Sequence, residues 1–431
     1  MADKRTTFDP AVHGFSFPNA FVDVFLTLPN GMKISTAGRC GGMAYASLDL
    51  FHAGAPAPRW GAGLYSPRRV PPDDNWLADV IRARLFDSFK VLSAATFVTW
   101  SLHPDGALGP LKGVERWTAE DELPQVVRAV DDGRPVPLGL VVARSLGAIG
   151  KNHQVVAHGY ARNGGTTSVL ITDSNSPGQE VTLTPAKGGW KASNGPTWRG
   201  FFVQDYKPRT PTVLTRTPAS PSTPIRAGSV VTLSHVWTGM TLHADRTPWS
   251  YSGAPLGTRV TAVRATASDD DRWVVEPATA HPNASMSAVP PGSGPASAVP
   301  AGSTPSSTAP TDPKPAADPR RGSSGPVASG ARVRLRHVAT GTYLGSPRGS
   351  RSPVTGQQGV RAGSSPDEWT VEVDGGGTWT AGARIRLVHV ATGVALHSHL
   401  HSDERTTDGQ QEVTGFAGRD DNDWWTVLET H

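Results

Sequence analysis

Cysteine is almost missing from this chain. Cys40 is the single one in 431 residues, so no intrachain disulfide can form. A lone cysteine is most simply a small buried apolar residue, and any other reading needs partners. Long apolar runs are missing too: no stretch approaches the about 18 residues that cross a bilayer. The first residues, Met1-Ala2-Asp3-Lys4-Arg5-Thr6-Thr7, lack the apolar centre of a secretory signal. These absences lead to the expectation of a soluble, cytoplasmic protein without a membrane partner, with export by a route that leaves no N-terminal signature left open. Charge of one sign is scarce as well. Lys plus Arg number 41 against 37 Asp plus Glu, a net charge of +4, and no dense basic block is interleaved with aromatics. A nucleic-acid partner is therefore not expected.

What is abundant is glycine (47) and proline (38), beside a hydrophobic fraction of 37%. That balance, at this length, suggests two or three folded units separated by poorly ordered segments. Up to about residue 206 the texture is globular. Gly41 to Phe51 reads as a helix. A second helix follows Asp73-Asp74, whose carboxylates suit the positive end of the helix dipole, and carries the stripe Leu77, Val80, Ile81, Leu85, Phe89. A third opens at Thr118-Ala119-Glu120-Asp121 and closes at Gly133. Apolar runs at 137–142, 153–160, 168–173 and 201–203 then read as strands. Helices first and strands afterwards is an α+β order.

Residues 208–226, rich in Pro, Thr and Ser, read as a linker. The chain beyond repeats itself. Leu233-Ser-His235-Val-Trp-Thr238-Gly239, Leu335-Arg-His337-Val-Ala-Thr340-Gly341 and Leu387-Val-His389-Val-Ala-Thr392-Gly393 open three segments. Strands headed by Trp273, Trp369 and Trp425 close them. Three all-β units, 228–277, 330–375 and 382–429, none able to bury its own apolar face, predict a threefold β-trefoil over 227–431. Between the first two lies a Pro/Ala/Gly/Ser tract at 278–328, too poor in large apolar residues to offset its ordering entropy, and so expected to be disordered.

Cys40 stands at the start of the first helix, where unpaired N–H groups and the positive dipole end favour a thiolate. Gly41 and Gly42 would let a substrate backbone approach. Attack on an acyl carbon further needs a base, a group that orients the base, and donors for the developing oxyanion. His153 begins a strand and Asp173 ends the next, so antiparallel pairing would set imidazole beside carboxylate. Asn175 is a rival orienter. His158, five residues from His153, falls on the opposite strand face.

A Cys at a helix start, a later His153-x-Val155-x-x-x-Gly159-Tyr160 strand, and an Asp closing the next strand resemble the papain-like cysteine peptidases, the C39-like peptidases in particular. The resemblance covers roughly residues 20–206 and implies a papain-like domain at 1–207 with Cys40, His153 and Asp173 as the catalytic triad. One feature departs from it: such enzymes draw an oxyanion donor from a Gln shortly before the Cys, and here the first Gln is Gln125. Asn30, Ser35 or Thr36 would have to supply that donor beside the Cys40 N–H.

The repeated Leu-x-His-Val-x-Thr-Gly, with Gln410-Gln411-Glu412-Val413 and Asp421-Asn422-Asp423-Trp424, resembles the MIR domain, a β-trefoil known from protein O-mannosyltransferases and intracellular calcium-release channels. It implies a recognition module for a peptide, glycan or glycoprotein. His235, His337 and His389 are expected to fill equivalent semi-buried positions. His397-Ser-His399-Leu-His401 has the alternation of a metal site, but His397 matches His243 of the first repeat and no carboxylate or thiol completes a closed set nearby. No metal and no cofactor are expected. The resulting reading is a papain-like cysteine hydrolase, a peptidase or amidase working through a Cys40 thioester on a peptide or protein substrate. The alternatives are an inert binding protein that uses the trefoil, or a cysteine-dependent acyltransferase or deamidase.

Overall fold

The computed structural model describes residues 2–431 other than 22, 28–32, 37, 59, 67, 74, 90, 108–111, 212–219, 250–256, 265, 267, 279–324 and 403–406; at 23–27, 33–36, 91 and 92 it describes the backbone alone. Most of the expected disordered tract, and Asn30, thus lie outside the described residues. The described chain is mostly β, with few helices. In the first half the elements are β1 (Ala2–Arg5), α1 (Pro10–His13), β2 (Asp23–Thr27), β3 (Lys33–Thr36), α2 (Cys40–His52), α3 (Trp76–Ser88), α4 (Val91–Leu102), α5 (Val114–Arg116) and α6 (Leu123–Asp131). Then come β4 (Val136–Val141), β5 (His153–Asn163), β6 (Thr166–Thr172), β7 (Glu180–Ala186), β8 (Gly189–Ala192), β9 (Thr197–Trp198) and β10 (Gly200–Val203).

The strands form one antiparallel sheet in the order β10-β4-β5-β6-β7-β8-β9, with β1 added along β5. β1 is Ala-Asp-Lys-Arg and has no apolar alternation, so its pairing is set by the tertiary fold and not by pattern. α2 is buried on every side from Gly41 to Leu50, the mark of a core helix. It packs Ala44 and Leu48 on Val156 of the sheet. Gly41 and Gly42 do not face open space. A Cβ on Gly42 would strike the Ile81 carbonyl of α3, and one on Gly41 would strike Ser88 and Gln154. The expected room for a substrate backbone is therefore used for helix packing. α3 is capped by Asn75, whose side chain accepts from Leu77 N at 2.9 Å. α4 has no expected counterpart, because Val91 to Leu102 is apolar on most sides and carries no helical stripe. The third expected helix opens as a π-helical turn, Trp117–Glu122, before α6.

Among its described residues the second half holds thirteen strands: β11 (Val230–His235), β12 (Thr241–Pro248), β13 (Thr258–Val263), β14 (Trp273–Pro277), β15 (Arg332–His337), β16 (Tyr343–Gly345), β17 (Gln358–Gly359), β18 (Arg361–Gly363), β19 (Trp369–Val373), β20 (Ile385–His389), β21 (Ala395–Ser402), β22 (Gln411–Phe416) and β23 (Trp425–Thr430). Six of them close a ring: β11 pairs β14, β14 pairs β15, β15 pairs β19, β19 pairs β20, β20 pairs β23, and β23 returns to β11. The remaining strands pair as hairpins, linked across repeats by β13 with β18 and β22 and by β17 with β22. This is a β-trefoil-type architecture. Closure leaves the barrel strands without open edges.

Its threefold character resolves to single atoms. His235, His337 and His389 each place Nδ1 on the hydroxyl of Thr238, Thr340 or Thr392, at 2.9, 2.9 and 2.7 Å. Each ring lies against Trp425, Trp273 or Trp369 of the preceding unit, and each indole N–H donates to the carbonyl of Leu396, Leu242 or Leu344. The Thr-Gly step after each His turns the chain in the left-handed region, φ being 71, 71 and 72° at Gly239, Gly341 and Gly393. Trefoil packing begins inside the stretch read as linker. Ile225 is fully buried in the trefoil core and its N–H donates to Trp379 O at 2.9 Å. Val327, the last-but-one residue of the expected disordered tract, belongs to the same core.

Candidate active site

β5 and β6 are antiparallel, with Val156 opposite Thr172, so His153 at the head of β5 and Asp173 just past β6 arrive together. His153 Nε2 and Asp173 Oδ1 are 2.7 Å apart, and both side chains are buried. The Cys40 thiol, at the first residue of α2, lies close enough to the ring to act on its charge. The electrostatics follow from that order. Burial opposes a charged His153, but a negative Cys40 and the Asp173 carboxylate outweigh it and raise the imidazole to about 10. Burial likewise opposes a charged Asp173, whereas the His153 bond and two amide donors hold its carboxyl below the ordinary range. Those donors are Asn175 N–H on Oδ1 and Asn194 Nδ2 on Oδ2, both at 2.8 Å.

Asn175 is thus part of the site in a different way from the one expected. Its backbone fixes Asp173, and its Nδ2 lies 3.3 Å from His153 Nε2, the atom that Asp173 already engages. His158 is fully buried and faces Glu180 and Phe8, away from Cys40. Ser35 and Thr36 lie on β3, paired to Val24 and Asp23. Four residues were not anticipated. Trp198 stacks on His153 at 5.8 Å and 16° and shields it. Asn194 completes the Asp173 bonding, and Gln154 lines the Cys40 cleft. Asn19 accepts the Arg39 N–H on its Oδ1 at 2.6 Å and donates its own N–H to Ser174 O at 3.0 Å. Only its residue type could have hinted at it, because it stands 21 residues before Cys40. Arg39 is held by the Ala78 carbonyl, by Asp73 and by the Phe21 ring, which stiffens the turn leading to the thiol. Cys40, Phe15, Met43, Gln154 and Asp173 line a small cleft. The arrangement can hold a thiolate–imidazolium pair beside an open space.

In the trefoil the structure corrects one expectation. Carboxylates do reach His397: ligand atoms of His397, Asp420 and Asp423 lie within 4.8 Å of one another. Nδ1 of His397 bonds Asp423 at 2.9 Å, and His243 bonds Asp271 at 2.9 Å at the equivalent place in the first repeat. Asp420 and Asp423 also form the capping box of the turn at 421–423. A pair repeated by symmetry and spent on turn capping is a structural device. His399 and His401 continue outward along the strand as a ladder of ring contacts.

Among the described residues no helix is long and apolar enough to cross a membrane. No protein-family model matches the chain. Curated relatives include a stromal cell-derived factor 2-like protein of Arabidopsis thaliana, 33% identical over 27% of this chain and 56% of that protein. Stromal cell-derived factor 2 of Homo sapiens is 34% identical over 24% of this chain and 51% of that protein. The chain spans about half the length of the curated relatives it matches. Among solved structures, the Arabidopsis thaliana stromal cell-derived factor 2-like protein is 25% identical, covering 48% of this chain and 96% of its own, with a TM-score of 0.36. The S. cerevisiae protein O-mannosyltransferase complex bound to the sugar donor is 20% identical, covering 50% of this chain and 27% of its own, with a TM-score of 0.36. About a quarter of this chain is homologous to the stromal cell-derived factor 2-like, MIR-type β-trefoil proteins.

Proposed function

We propose that the trefoil is a binding module for a glycan or protein partner, and that the preceding unit is a papain-like cysteine hydrolase acting on what it brings. The division we propose is 1–207 for the hydrolase and 227–431 for the trefoil, with 208–226 between them. The observation that carries the enzymatic part is one imidazole close to both the Cys40 thiol and the buried Asp173 carboxylate. In the reaction that this order permits, the Cys40 thiolate attacks an amide carbon, a C–S bond forms, and the carbonyl π pair moves to oxygen. The His153 imidazolium then gives its proton to the leaving nitrogen as the C–N bond breaks, leaving a thioester. Water, deprotonated by the now neutral His153, hydrolyses the thioester to a carboxylic acid and restores the thiol. An amine acceptor in place of water would give transamidation.

Iodoacetamide tests the pair directly on the full chain. Wild-type Cys40 should alkylate faster than a free thiol near pH 6–7, where unactivated thiols are almost wholly protonated. His153→Ala should remove most of that advantage. Alkylation at the free-thiol rate in wild type would sink the enzymatic reading.

A second reading, a binding protein with an inert thiol site, is supported by the stromal cell-derived factor 2-like homology of the trefoil-type region. It predicts glycan or protein binding that is unchanged in Cys40→Ala, with no acyl transfer in wild type.

A further inference from the structure

The tetrahedral step places negative charge on the carbonyl oxygen, and two convergent donors are usual for such a site. One is at hand: the Cys40 N–H belongs to the first turn of α2, where N–H groups have no partner inside the helix. The second has no counterpart in sequence, since no Gln precedes Cys40.

Asn19 lies against the turn that leads into Cys40. Its Oδ1 accepts the N–H of Arg39, the residue joined to Cys40. That bond settles which way the amide faces, because an oxygen must meet the N–H and the Nδ2 group must then point elsewhere. No described residue accepts from Nδ2, and Asn19 is half-buried. The amide lies flat against Gly38, whose φ is +125°, and a Cβ there would run into it. Glycine at 38 is thus required both for the turn and for the approach of Asn19. From the other side, Asn19 N–H is tied to Ser174, next to Asp173. The residue is braced between the nucleophile and the orienting carboxylate. The rival amide, Gln154, lines the same cleft, but it is 1% exposed, and its amide atoms pack where a Cβ on Gly41 would sit.

We infer that Asn19 Nδ2, with the Cys40 N–H, forms the oxyanion-binding pair and is a catalytic residue supplied from a distant segment. This rests on the thiol acyl-transfer reading. The test compares two reactions of Cys40 in the full chain. Alkylation by iodoacetamide makes no oxyanion, whereas acylation by p-nitrophenyl acetate does. In Asn19→Ala, alkylation should stay within about twofold of wild type, and acylation should fall by about 10²–10³. Asn19→Asp, which keeps the acceptor for Arg39 and lacks the donor, should show at least as large an acylation loss relative to alkylation. A selective acylation loss in Gln154→Leu, with none in the Asn19 variants, would assign the donor to Gln154 and overturn the inference. If both rates fall in parallel in the Asn19 variants, or neither falls, Asn19 only shapes the turn and the inference fails. If wild-type Cys40 alkylates no faster than a free thiol, the acyl-transfer reading itself has failed.

Discussion

Asp173 and Asn175 divide a task that one-dimensional reading could assign to either. Asp173 receives His153, Asn175 N–H and Asn194, and it stays charged despite its burial because three donors meet it. Asn175 supports the carboxylate more than the ring. Asp173→Ala should therefore slow Cys40 acylation by about 10²–10⁴, the range for losing an oriented base. Side-chain removal in Asn175→Ala leaves the backbone donor in place and should cost under about tenfold, since the general base keeps its partner. Burst kinetics on both variants decide it, and equal losses would return Asn175 to the role of orienter. Cys40, His153 and Asp173 were legible because each residue type carries its chemistry openly and strand ends bring two of them together. Asn19, Asn194 and Trp198 were not, because an amide or an indole announces nothing until the fold sets it against a neighbour.

At the scale of elements, the trefoil was the most legible part, because the same buried unit is written three times. His, Thr and Trp recur since each histidine needs a hydroxyl, an indole face and an acceptor from the unit before it. α4 and β1 escaped detection for opposite reasons, one being apolar without a stripe and the other polar without alternation. The histidine units also make stability depend on pH. Burial, ahead of every other influence, pushes His235 down to about 3 and lowers His337. A folded-state pKa below the unfolded value of about 6.5 gives stability that is full above it and is lost as pH falls toward the folded value. The tryptophan near-UV signal should therefore melt at progressively lower temperature from pH 7 to pH 4. His235→Phe should flatten part of that slope, each histidine accounting for up to about 1.4 kcal/mol per pH unit. An unchanged slope would show that other groups govern the acid limit. Trp369→Ala, emptying a fully buried site, should cost about 3–5 kcal/mol in chemical denaturation.

For the whole molecule, the question is whether the two halves unfold as one. The junction is built on α3 and the first repeat: Trp76 Nε1 donates to Gly239 O at 2.8 Å, and Asn75 Nδ2 to Val236 O at 3.2 Å. Leu428 of the trefoil is buried in the apolar cluster of the first half, with Val236 against it. Arg384 of the third repeat reaches Ser66 O at 3.1 Å, and Arg68 lies over the Trp237 ring. The repeats supply their own control for testing this contact. Gly239, Gly341 and Gly393 share one backbone conformation, so an alanine at any of them meets the same left-handed strain of about 1–2 kcal/mol. At 341 and 393 the added Cβ meets open space, but at 239 it would run into the Trp76 indole. Gly341→Ala and Gly393→Ala should each lower the trefoil melting temperature modestly and leave the shape of the calorimetric transition as in wild type. Gly239→Ala should cost more than either and draw the transition apart into two, because the trefoil can no longer seat against α3. Three identical losses with one unchanged transition shape would mean that the junction carries no coupling, and that the halves meet without stabilising each other.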